Sequence, residues 1–399
     1  MADRASGDGT GMLGGRFGFA LSIVSITAMM AGASAPSPFY PVLAESIGFS
    51  PLITTSIFAV YALALLFTLL TAGSLSDHVG RHPVASIGLL LLAVSVFVFW
   101  HAGSIALLIV ARVLQGVASG LLLSAVSAAI TDFEPPNRPG AAAVWNAVAP
   151  MIGLGIGALA AGLALDGTAH AMTAVFAPLV ALYLVLAILF RFIPETAPRA
   201  PGALRSLGFK LTVPREMRTE FAQGAPAIFA GWATGGLFLS LGASIVQTEL
   251  GGTAHVWQGL SVGVLAGAGA IAAFLLRRRS ARVIAVYGTA ALAVGAGCSL
   301  AALAAESLPA YLIAVAVTGS GFGTAFFGVV RSLTPHIPAA QRADVFAVIF
   351  LVSYLAFGVP TVVAGLLVQF IGLTPVAFGY GALVIVFAGF ACVVRLSKG

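Results

Sequence analysis

Long apolar runs, each about the length of a membrane-crossing helix, dominate this sequence and limit what it can fold into. A helix needs roughly 20 consecutive apolar residues to cross the hydrocarbon core of a bilayer, and such runs recur along nearly the whole chain. Hydrophobic residues make up 60% of the chain and charged residues 8%, whereas a soluble domain carries about a quarter charged residues. The alternating segments of about ten residues that form outer-membrane barrels do not occur. We therefore predict an all-α polytopic membrane protein.

Hydropathy divides these runs into about twelve transmembrane helices, six on each side of one longer polar connection. That connection, residues 194–223, holds four prolines and a group of arginines. We predict that it links an N-terminal six-helix bundle (1–193) to a C-terminal six-helix bundle (224–399). Within it, residues 204–221 form either a basic helix lying on the membrane or a solvated chain. The predicted spans are 17–40, 52–75, 83–100, 105–130, 140–165, 171–193, 225–246, 257–276, 283–305, 308–330, 346–371 and 375–394.

Arginine and lysine are distributed unevenly between the loops. Six alternate loops lack both residues, whereas the loops between them, the linker and both chain ends carry them. Because short positively charged loops stay in the cytoplasm, we predict a multi-pass protein of the cytoplasmic (inner) membrane with a cytoplasmic linker and both termini inside. The net charge of +6 then reflects topology, so no nucleic-acid partner is expected. The loops without arginine or lysine are 41–50, 101–105, 166–171, 248–255, 305–309 and 371–374.

The loop between the second and third spans is unusually polar, reading Gly-Ser-Leu-Ser-Asp-His-Val-Gly-Arg-His-Pro over 73–83. Gly80 can adopt a positive φ, and Asp77 and Arg81 can pair with each other or with unsatisfied groups at helix ends. An ordinary polar hairpin would also satisfy these observations. The spacing G-x-L-x-D-x-x-G-R-x-P resembles the loop between helices 2 and 3 of the major facilitator superfamily. The resemblance implies that Gly73, Asp77, Gly80 and Arg81 form a conformational latch that reaches the start of the eleventh span.

One basic residue, Arg112, lies deep within the fourth span. A guanidinium in the hydrocarbon core is costly unless it finds partners or water. Arg112 either ties down carbonyl groups of a neighbouring helix, with Gly116 and Gly120 allowing close approach, or lines a cavity and tunes a proton site. Residues 112–120, Arg-Val-Leu-Gln-Gly-Val-Ala-Ser-Gly, resemble the R-x-x-q-G pattern of this helix in the superfamily. We therefore expect Arg112 and Gln115 to act in substrate binding or coupling.

The fifth span is rich in glycine. Residues 153–162 contain four glycines and resemble the antiporter motif of superfamily exporters, with Ala158 where that motif has proline. Tight helix packing is the alternative explanation for so many glycines. No carboxylate falls in the middle of a predicted span, although many proton-driven exporters of the superfamily have one. Asp166 and Glu249, at span ends, are the nearest substitutes.

Neutral polar and aromatic side chains are further candidates for a cavity wall. In the superfamily, helices 1, 4, 7 and 10 line the central cavity, with contributions from helices 2, 5, 8 and 11. Each candidate could instead form a helix–helix hydrogen bond or anchor the chain at the membrane interface. Besides Arg112 and Gln115, the resemblance singles out Tyr61, Trp145, Asn146, Trp232, Gln247 and Tyr354.

Enzyme chemistry is not indicated by the sequence. There is no P-loop, the histidines are scattered over loops without metal-ligand spacing, and Cys298 and Cys392 lie in apolar runs. We therefore expect no cofactor, no metal and no catalytic residue.

The resemblance implies a secondary active transporter that moves a small drug-like molecule or metabolite by alternating access. We expect an efflux antiporter, with protons as the candidate coupling ion, that works as a monomer in the lipid bilayer. An arginine-bearing cavity with few carboxylates favours a neutral, amphipathic or anionic substrate over a dication. The alternatives are an uptake carrier for a small metabolite and a membrane receptor or scaffold that transports nothing.

Overall fold

Helices account for nearly all of the structure, a computed structural model that describes residues 8–197, 201–202, 208, 211, 213–337 and 341–397. In these residues, 11 helices are long and apolar enough to cross a membrane, and a bent pair makes a twelfth when it is counted as one span. This agrees with the all-α membrane fold predicted from the sequence. We number the long helices α1 (Asp8–Ser34), α2 (Pro51–Ala72), α3 (Arg81–Trp100), α4 (Ile105–Asp132), α5 (Ala141–Gly167), α6 (Ala171–Leu189), α7 (Arg218–Ser240), α8 (His255–Leu276), α9 (Ala281–Ala304), α10 (Leu308–Leu333), α11 (Arg342–Ile371) and α12 (Leu373–Leu396).

The first span ends earlier in the structure than hydropathy predicts. The prediction is one helix over 17–40, whereas α1 ends at Ser34 and a separate short helix runs over Phe39–Ile47. Pro36 and Pro38 explain the difference, because proline has no backbone N–H and interrupts the helical hydrogen-bond ladder. The break turns the chain so that Tyr40 lies at the start of the short helix, beside the interior of the molecule.

The seventh span is broken near its end. α7 begins at Arg218, inside the stretch predicted as linker. Beyond Ser240 the chain bends by 60° and continues through a short helical turn, Gly242–Ser244, and a π-helical turn, Ile245–Glu249. Such π-turns are frequent at functional sites. Of the stretch 204–221, for which the sequence leaves a membrane-lying helix or a solvated chain open, residues 204–207, 209–210 and 212 lie outside the described residues, and residues 218–221 belong to α7.

Apolar cores form within each half of the chain and also between the halves. We call α1–α6 the N half and α7–α12 the C half. The largest cluster of buried apolar side chains draws only on the N half, between Leu21 and Ile193. Other clusters draw only on the C half. A further cluster combines Phe58 and Tyr61 of the N half with Phe357 of the C half.

Two helix pairs carry most of the contact between the halves in the described residues: α2 packs on α11, and α5 packs on α8. Small residues allow the second pair to approach closely. A Cβ on Gly259 would lie 2.4 Å from the carbonyl oxygen of Ala158, and one on Gly162 would lie 2.6 Å from the carbonyl oxygen of His255. The glycines of α5 therefore serve helix packing, the alternative that the sequence leaves open beside the antiporter motif.

The helix ends lie at two faces of the molecule. We call the face with loops 73–80, 133–140 and 277–280 the terminal face, because α1 begins and α12 ends there. The face with loops 101–104, 168–170 and 305–307 is the opposite face. The contact of α2 with α11 is antiparallel, since the start of α2 at Thr55 meets Gly365 near the end of α11.

Candidate functional site

Arg112 of α4 is the most deeply buried charged side chain in the described part of the chain, at 1% exposure. Three aromatic rings surround its guanidinium. The ring centroids of Tyr61, Tyr40 and Phe58 lie 4.8, 5.9 and 6.0 Å from Cζ. A cation at these distances is attracted by the negative faces of the rings. Among the described residues, no carboxylate forms an ion pair with Arg112, so the aromatic rings provide its electrostatic partner.

Gln115 connects Arg112 to α1. Its side-chain oxygen accepts a hydrogen bond from Arg112 Nη1, and its Nε2 donates to the carbonyl oxygen of Gly32 at 2.9 Å. Gly32 has no room for a side chain, because a Cβ there would lie 2.0 Å from the Tyr183 hydroxyl oxygen. That hydroxyl donates to the Ala28 carbonyl oxygen at 2.9 Å. Arg112 is thus tied to a neighbouring helix through a glutamine, which leaves part of its guanidinium available.

One nitrogen of the guanidinium lacks a hydrogen bond. Arg112 Nε is buried and has no hydrogen-bond partner among the described residues, and the buried Tyr40 hydroxyl has the same guanidinium as its polar neighbour. An unpaired buried donor or acceptor costs about 1–3 kcal/mol. A ligand oxygen that accepted a hydrogen bond from this nitrogen would therefore be stabilised at this position.

A set of five aromatic residues extends from Arg112 across the interface between the halves, and we call it the central aromatic cluster. It comprises Phe58 and Tyr61 of α2, Trp232 of α7, and Tyr354 and Phe357 of α11. Phe58 and Phe357 meet across the interface with ring centroids 4.7 Å apart. Trp232 lies 4.8 Å from Tyr354 and 5.7 Å from Phe357. Five of the predicted cavity residues, Arg112, Gln115, Tyr61, Trp232 and Tyr354, therefore lie in this one region.

The other three predicted cavity residues lie elsewhere. Trp145 packs against the N-half core near the start of α5. Asn146 Nδ2 donates to the carbonyl oxygen of Ser127 in α4 at 3.3 Å, while its Oδ1 is buried without a partner in the described residues. Gln247 is half-buried in the π-helical turn near the opposite face. A contact of these side chains with substrate stays a prediction.

Hydrogen bonds between the halves close the opposite face. Asp166, near the end of α5, accepts hydrogen bonds from the backbone N–H groups of His255 and Val256 at 2.9 and 2.7 Å. His255 Nδ1 also lies 2.8 Å from the carboxylate. These are the first residues of α8, so Asp166 caps the N-terminus of a helix of the other half. The Ser37 hydroxyl adds a hydrogen bond to the Leu239 carbonyl oxygen at 2.7 Å. Opening this face requires these contacts to break.

Toward the terminal face the contact between the halves is less completely buried. Leu69 and Leu70 of α2 and Phe350 and Leu351 of α11 are only partly buried against the cluster that buries Phe58. The structure therefore shows polar contacts between the halves at the opposite face and less complete burial of their contact toward the terminal face.

The residues predicted as a latch form a network at the terminal face. Arg81 Nη1 donates to the Ser76 hydroxyl at 2.7 Å and pairs with Asp77, while Arg81 Nε lies 3.3 Å from Asp132 Oδ2. Asp132 is the last residue of α4, so Arg81 holds the loop after α2 to that helix. Gly73 ends α2 at the other side of the loop. These contacts lie within the N half, and the reach of the latch to α11 stays a prediction.

Glu195 completes this network. Its carboxylate accepts hydrogen bonds from the backbone N–H groups of Arg81 at 2.7 Å and His82 at 3.1 Å, capping the start of α3. Gly80, with φ +112°, brings the chain against this carboxylate, since a Cβ there would lie 2.6 Å from Oε2. Partial burial raises the pKa of the Glu195 carboxyl, but the backbone donors and the nearby His82 lower it more, so the pKa lies below its ordinary value.

Several residues that form these networks and the surroundings of Arg112 are not predicted from the sequence. Asp132 and Glu195 lie just after the predicted fourth and sixth spans. Carboxylates that cap neighbouring helices are expected at such positions, so the sequence could have indicated both residues. For Asp166 the sequence indicates only a carboxylate at a span end. Tyr40 and Phe58 give no signal, because Tyr40 falls at the predicted end of the first span and Phe58 lies in a helix that is apolar on nearly every side.

The fold defines the class of protein: an all-α membrane protein with 11 or 12 candidate spans in the described residues. The family model of the Major Facilitator Superfamily matches residues 21–361, which is most of the chain. The chain therefore belongs to the Major Facilitator Superfamily and is a multi-pass membrane protein.

Individual relatives match shorter parts. Over 101 residues the chain is 28% identical to the quinolone resistance protein NorA of Staphylococcus aureus, a match covering 25% of this chain and 26% of NorA. Over 109 residues it is 36% identical to the MFS-type transporter Rv1250 of Mycobacterium tuberculosis, covering 27% of this chain and 19% of that protein. The matches thus span about a quarter or less of the relatives' length.

Two solved structures share the fold over nearly the full chain. The human organic anion transporter MFSD10 (TETRAN) aligns with a TM-score of 0.68 at 17% identity, covering 94% of this chain and 99% of that one. A bacterial homolog of the human lysosomal transporter Spinster, in an inward-facing and unoccupied conformation, aligns with a TM-score of 0.74 at 13% identity, covering 96% and 97%. These similarities confirm the all-α transporter fold.

Proposed function

We propose that this transporter exports neutral or anionic amphipathic small molecules, of drug or metabolite size, across the cytoplasmic membrane, with its terminal face in the cytoplasm. The observation that carries the proposal is the environment of Arg112: a buried guanidinium inside an aromatic cage, with an unpaired Nε and no carboxylate partner in the described residues.

The chemistry of this site favours one kind of ligand. A guanidinium binds carboxylates and other planar oxyanions through paired N–H donors, and the bond strengthens where water is excluded. The central aromatic cluster beside it offers ring faces for stacking against a flat apolar body. A cationic ligand would instead bring a second positive charge into a site that already buries one. We therefore propose a substrate that combines an aromatic or apolar body with a carbonyl or carboxylate.

Export is supported by the partial similarity to a quinolone resistance protein. The direction of transport and the substrate class are separate parts of the proposal, and each has its own test.

Alternating access would use the contacts at the two faces as gates. In the present state the Asp166 cap holds α5 to α8 and closes the opposite face. A substrate would enter from the terminal face and reach the central aromatic cluster, and its binding would favour release of the cap. Protons are the proposed coupling ion. Asp166 is the carboxylate placed at the contact between the halves that must open and close.

Accumulation in cells tests the proposal. The chain is expressed in a bacterial host that lacks its main efflux pumps, and the intracellular content of a quinolone, a lipophilic anionic dye and the cation ethidium is measured. We expect lower accumulation of the first two compounds and unchanged ethidium, with both effects lost in Arg112→Ala at equal expression. Higher accumulation would show uptake, unchanged accumulation of all three would favour a scaffold, and export of ethidium alone would contradict the substrate class.

A further inference from the structure

Gln258, near the start of α8, is a polar side chain in fully buried surroundings. Its exposure is 0%, and neither its Oε1 nor its Nε2 has a hydrogen-bond partner among the described residues. Leaving a buried amide without either hydrogen bond is costly, so a native protein that keeps such a group needs a reason for it. The partner of this amide therefore has to be a group outside the described residues.

Gln258 lies between the hydrogen bonds at the opposite face and the central aromatic cluster. The Asp166 cap holds the first residues of α8 at the opposite face. Further along the helix, Val262 and Ala266 pack in the same apolar cluster as Phe58. Residues four and eight positions apart share one face of a helix. Gln258 therefore lies on the face of α8 that carries these contacts, one turn nearer to the opposite face.

The position of Gln258 is also at the boundary between the halves. The next residue, Gly259, packs against α5 so closely that a Cβ there would lie 2.4 Å from the carbonyl oxygen of Ala158. Both α8 and α4 begin at the opposite face. With a rise of about 1.5 Å per residue, Gln258 is roughly 5 Å from the start of α8 and Arg112 roughly 10 Å from the start of α4. Gln258 thus belongs to the C half and lies nearer to the opposite face than Arg112 does.

The two side chains recognise different chemistry. A glutamine amide offers two N–H donors and a carbonyl acceptor, so it pairs with a carbonyl, a carboxamide or a hydroxyl of a ligand. Arg112 instead favours an oxyanion. A buried hydrogen-bonding group also discriminates between ligands, because a ligand without the matching group leaves it unpaired. Gln258 therefore has the properties of a residue that determines specificity.

We propose that Gln258 is a substrate-binding residue of the C half, which holds a neutral hydrogen-bonding group of the transported molecule. This inference rests on the proposed function and narrows its substrate class. The substrate is an amphipathic molecule with an oxygen for Arg112 at one end and a carbonyl, carboxamide or hydroxyl at the other. A molecule held by both side chains contacts both halves, as expected for a site at the interface between them.

Two matched compounds test the inference on the purified full chain in detergent. One is a biphenyl carboxylate that carries a carboxamide on its far ring, and the other has an isopropyl group in place of the carboxamide. The melting temperature is measured against the concentration of each compound. The ratio of the two half-maximal concentrations is then compared between variants, because the different partitioning of the compounds into detergent cancels in this comparison.

Gln258→Met removes the amide and keeps nearly the same shape. We expect the ratio to shift about fivefold in favour of the isopropyl compound, as for the loss of one neutral hydrogen bond. Without a ligand, the variant should melt at the same or a higher temperature than the unchanged protein, because an apolar group replaces an unpaired polar one. Gln223→Met makes the same change at a half-buried glutamine near the terminal face. It is the matched control and should leave the ratio unchanged.

Three results would overturn the inference. An unchanged ratio in Gln258→Met would show that the amide pairs with water and not with the ligand. A lower melting temperature of this variant without a ligand would show that the amide has a structural partner. An equal shift of the ratio in Gln223→Met would show a general effect of losing a glutamine.

The same measurement separates this inference from the proposed function. In each of the three cases both compounds still stabilise the protein through their carboxylate, so the proposed site at Arg112 stands. Stabilisation by neither compound would instead contradict the proposed function and the role of Gln258 together.

Discussion

Two arginines, Arg112 and Arg81, show at the scale of single residues how neighbours decide what a guanidinium does. Arg81 lies among Asp77, Asp132 and Ser76, and these partners use its charge to hold a loop to a helix end. Arg112 has aromatic rings and one glutamine oxygen around it. Its charge is therefore stabilised but not neutralised, and an anionic ligand gains more at Arg112 than at Arg81.

Arg112→Lys tests this difference. Lysine keeps the charge but loses the planar fork that pairs with an oxyanion. We expect binding of an anionic ligand to weaken about tenfold or more, the loss expected for one charge-assisted hydrogen bond, while the protein still folds. Arg112→Ala should change selectivity in favour of neutral ligands. Melting temperature and ligand-induced stabilisation are measured on the same purified samples, with Arg278→Lys as control. A purely structural Arg112 would instead give poorly folded variants whose surviving fraction binds with normal selectivity.

Glu195→Gln tests the network at the terminal face through pH. The pKa of Glu195 is lowered below its ordinary value of 4.5, so its carboxylate stabilises the folded state above that pH. This contribution is lost as the pH falls from 4.5 through the lowered pKa. We expect Glu195→Gln to melt at a lower temperature than the unchanged protein at pH 7, and the difference to shrink as the pH falls below 4.5. The exposed Glu216→Gln is the control. A difference that grows in acid would contradict this account.

At the scale of elements, the pair α5–α8 combines close packing with a polar cap. Gly259 and Gly162 allow the backbones to approach, and Asp166 fixes the register at the opposite face. The two helices are therefore held together by close backbone packing and, at the opposite face, by the hydrogen bonds of the Asp166 cap. Breaking these hydrogen bonds should loosen the opposite face while the packing between the helices persists.

Asp166→Asn should make the opposite face open more readily. A helix-capping carboxylate contributes about 1 kcal/mol, so its loss should raise the open population about fivefold. Spin labels at Thr168→Cys and Thr253→Cys, both exposed, report the distance across this face in a background with Cys298 and Cys392 replaced by serine. The control is Glu306→Gln, an exposed carboxylate of the same face. A distance distribution identical in Asp166→Asn and the control would show that the cap is not a gate.

How well the sequence alone predicts each element depends on whether a physical requirement leaves a recognisable pattern in the sequence. Ten spans agree with hydropathy to within a few residues, because a bilayer sets helix length. The two exceptions are local: prolines end α1 early, and α7 bends after Ser240. Arg112, Gln115 and Tyr61 could be predicted because a polar group in an apolar helix is conspicuous. Phe58 and Phe357 could not, since helices that are apolar on all sides carry no signal for the direction of one ring.

At the scale of the whole molecule, the two halves meet along α2–α11 and α5–α8 in the described residues, and the proposed function requires them to rock about the site between them. In this fold class, such motion exposes a fixed central site to each side of the membrane in turn. The arrangement requires a defined orientation, with the arginine-rich terminal face on one side.

The arginine distribution predicts that both termini are cytoplasmic. A reporter that is active only in the cytoplasm, fused after Gly399, should give a signal, and the same reporter inserted in the loop 168–170 should not. An external reporter at these two positions should show the opposite pattern. A signal from the external reporter at Gly399 would invert the orientation and, with it, the proposed direction of transport.

Transport in everted membrane vesicles tests the central claim most directly, namely that the chain exports an anionic or neutral amphipathic molecule through the site at Arg112. The vesicles are energised to acidify their interior, and uptake of a fluorescent amphipathic anion is followed over time in the unchanged protein, Arg112→Ala and Arg278→Lys. We expect uptake that collapses when the pH gradient is dissipated, persists in Arg278→Lys and is lost in Arg112→Ala. Uptake that is equal in Arg112→Ala, or that occurs only in vesicles of the opposite orientation, would contradict the account.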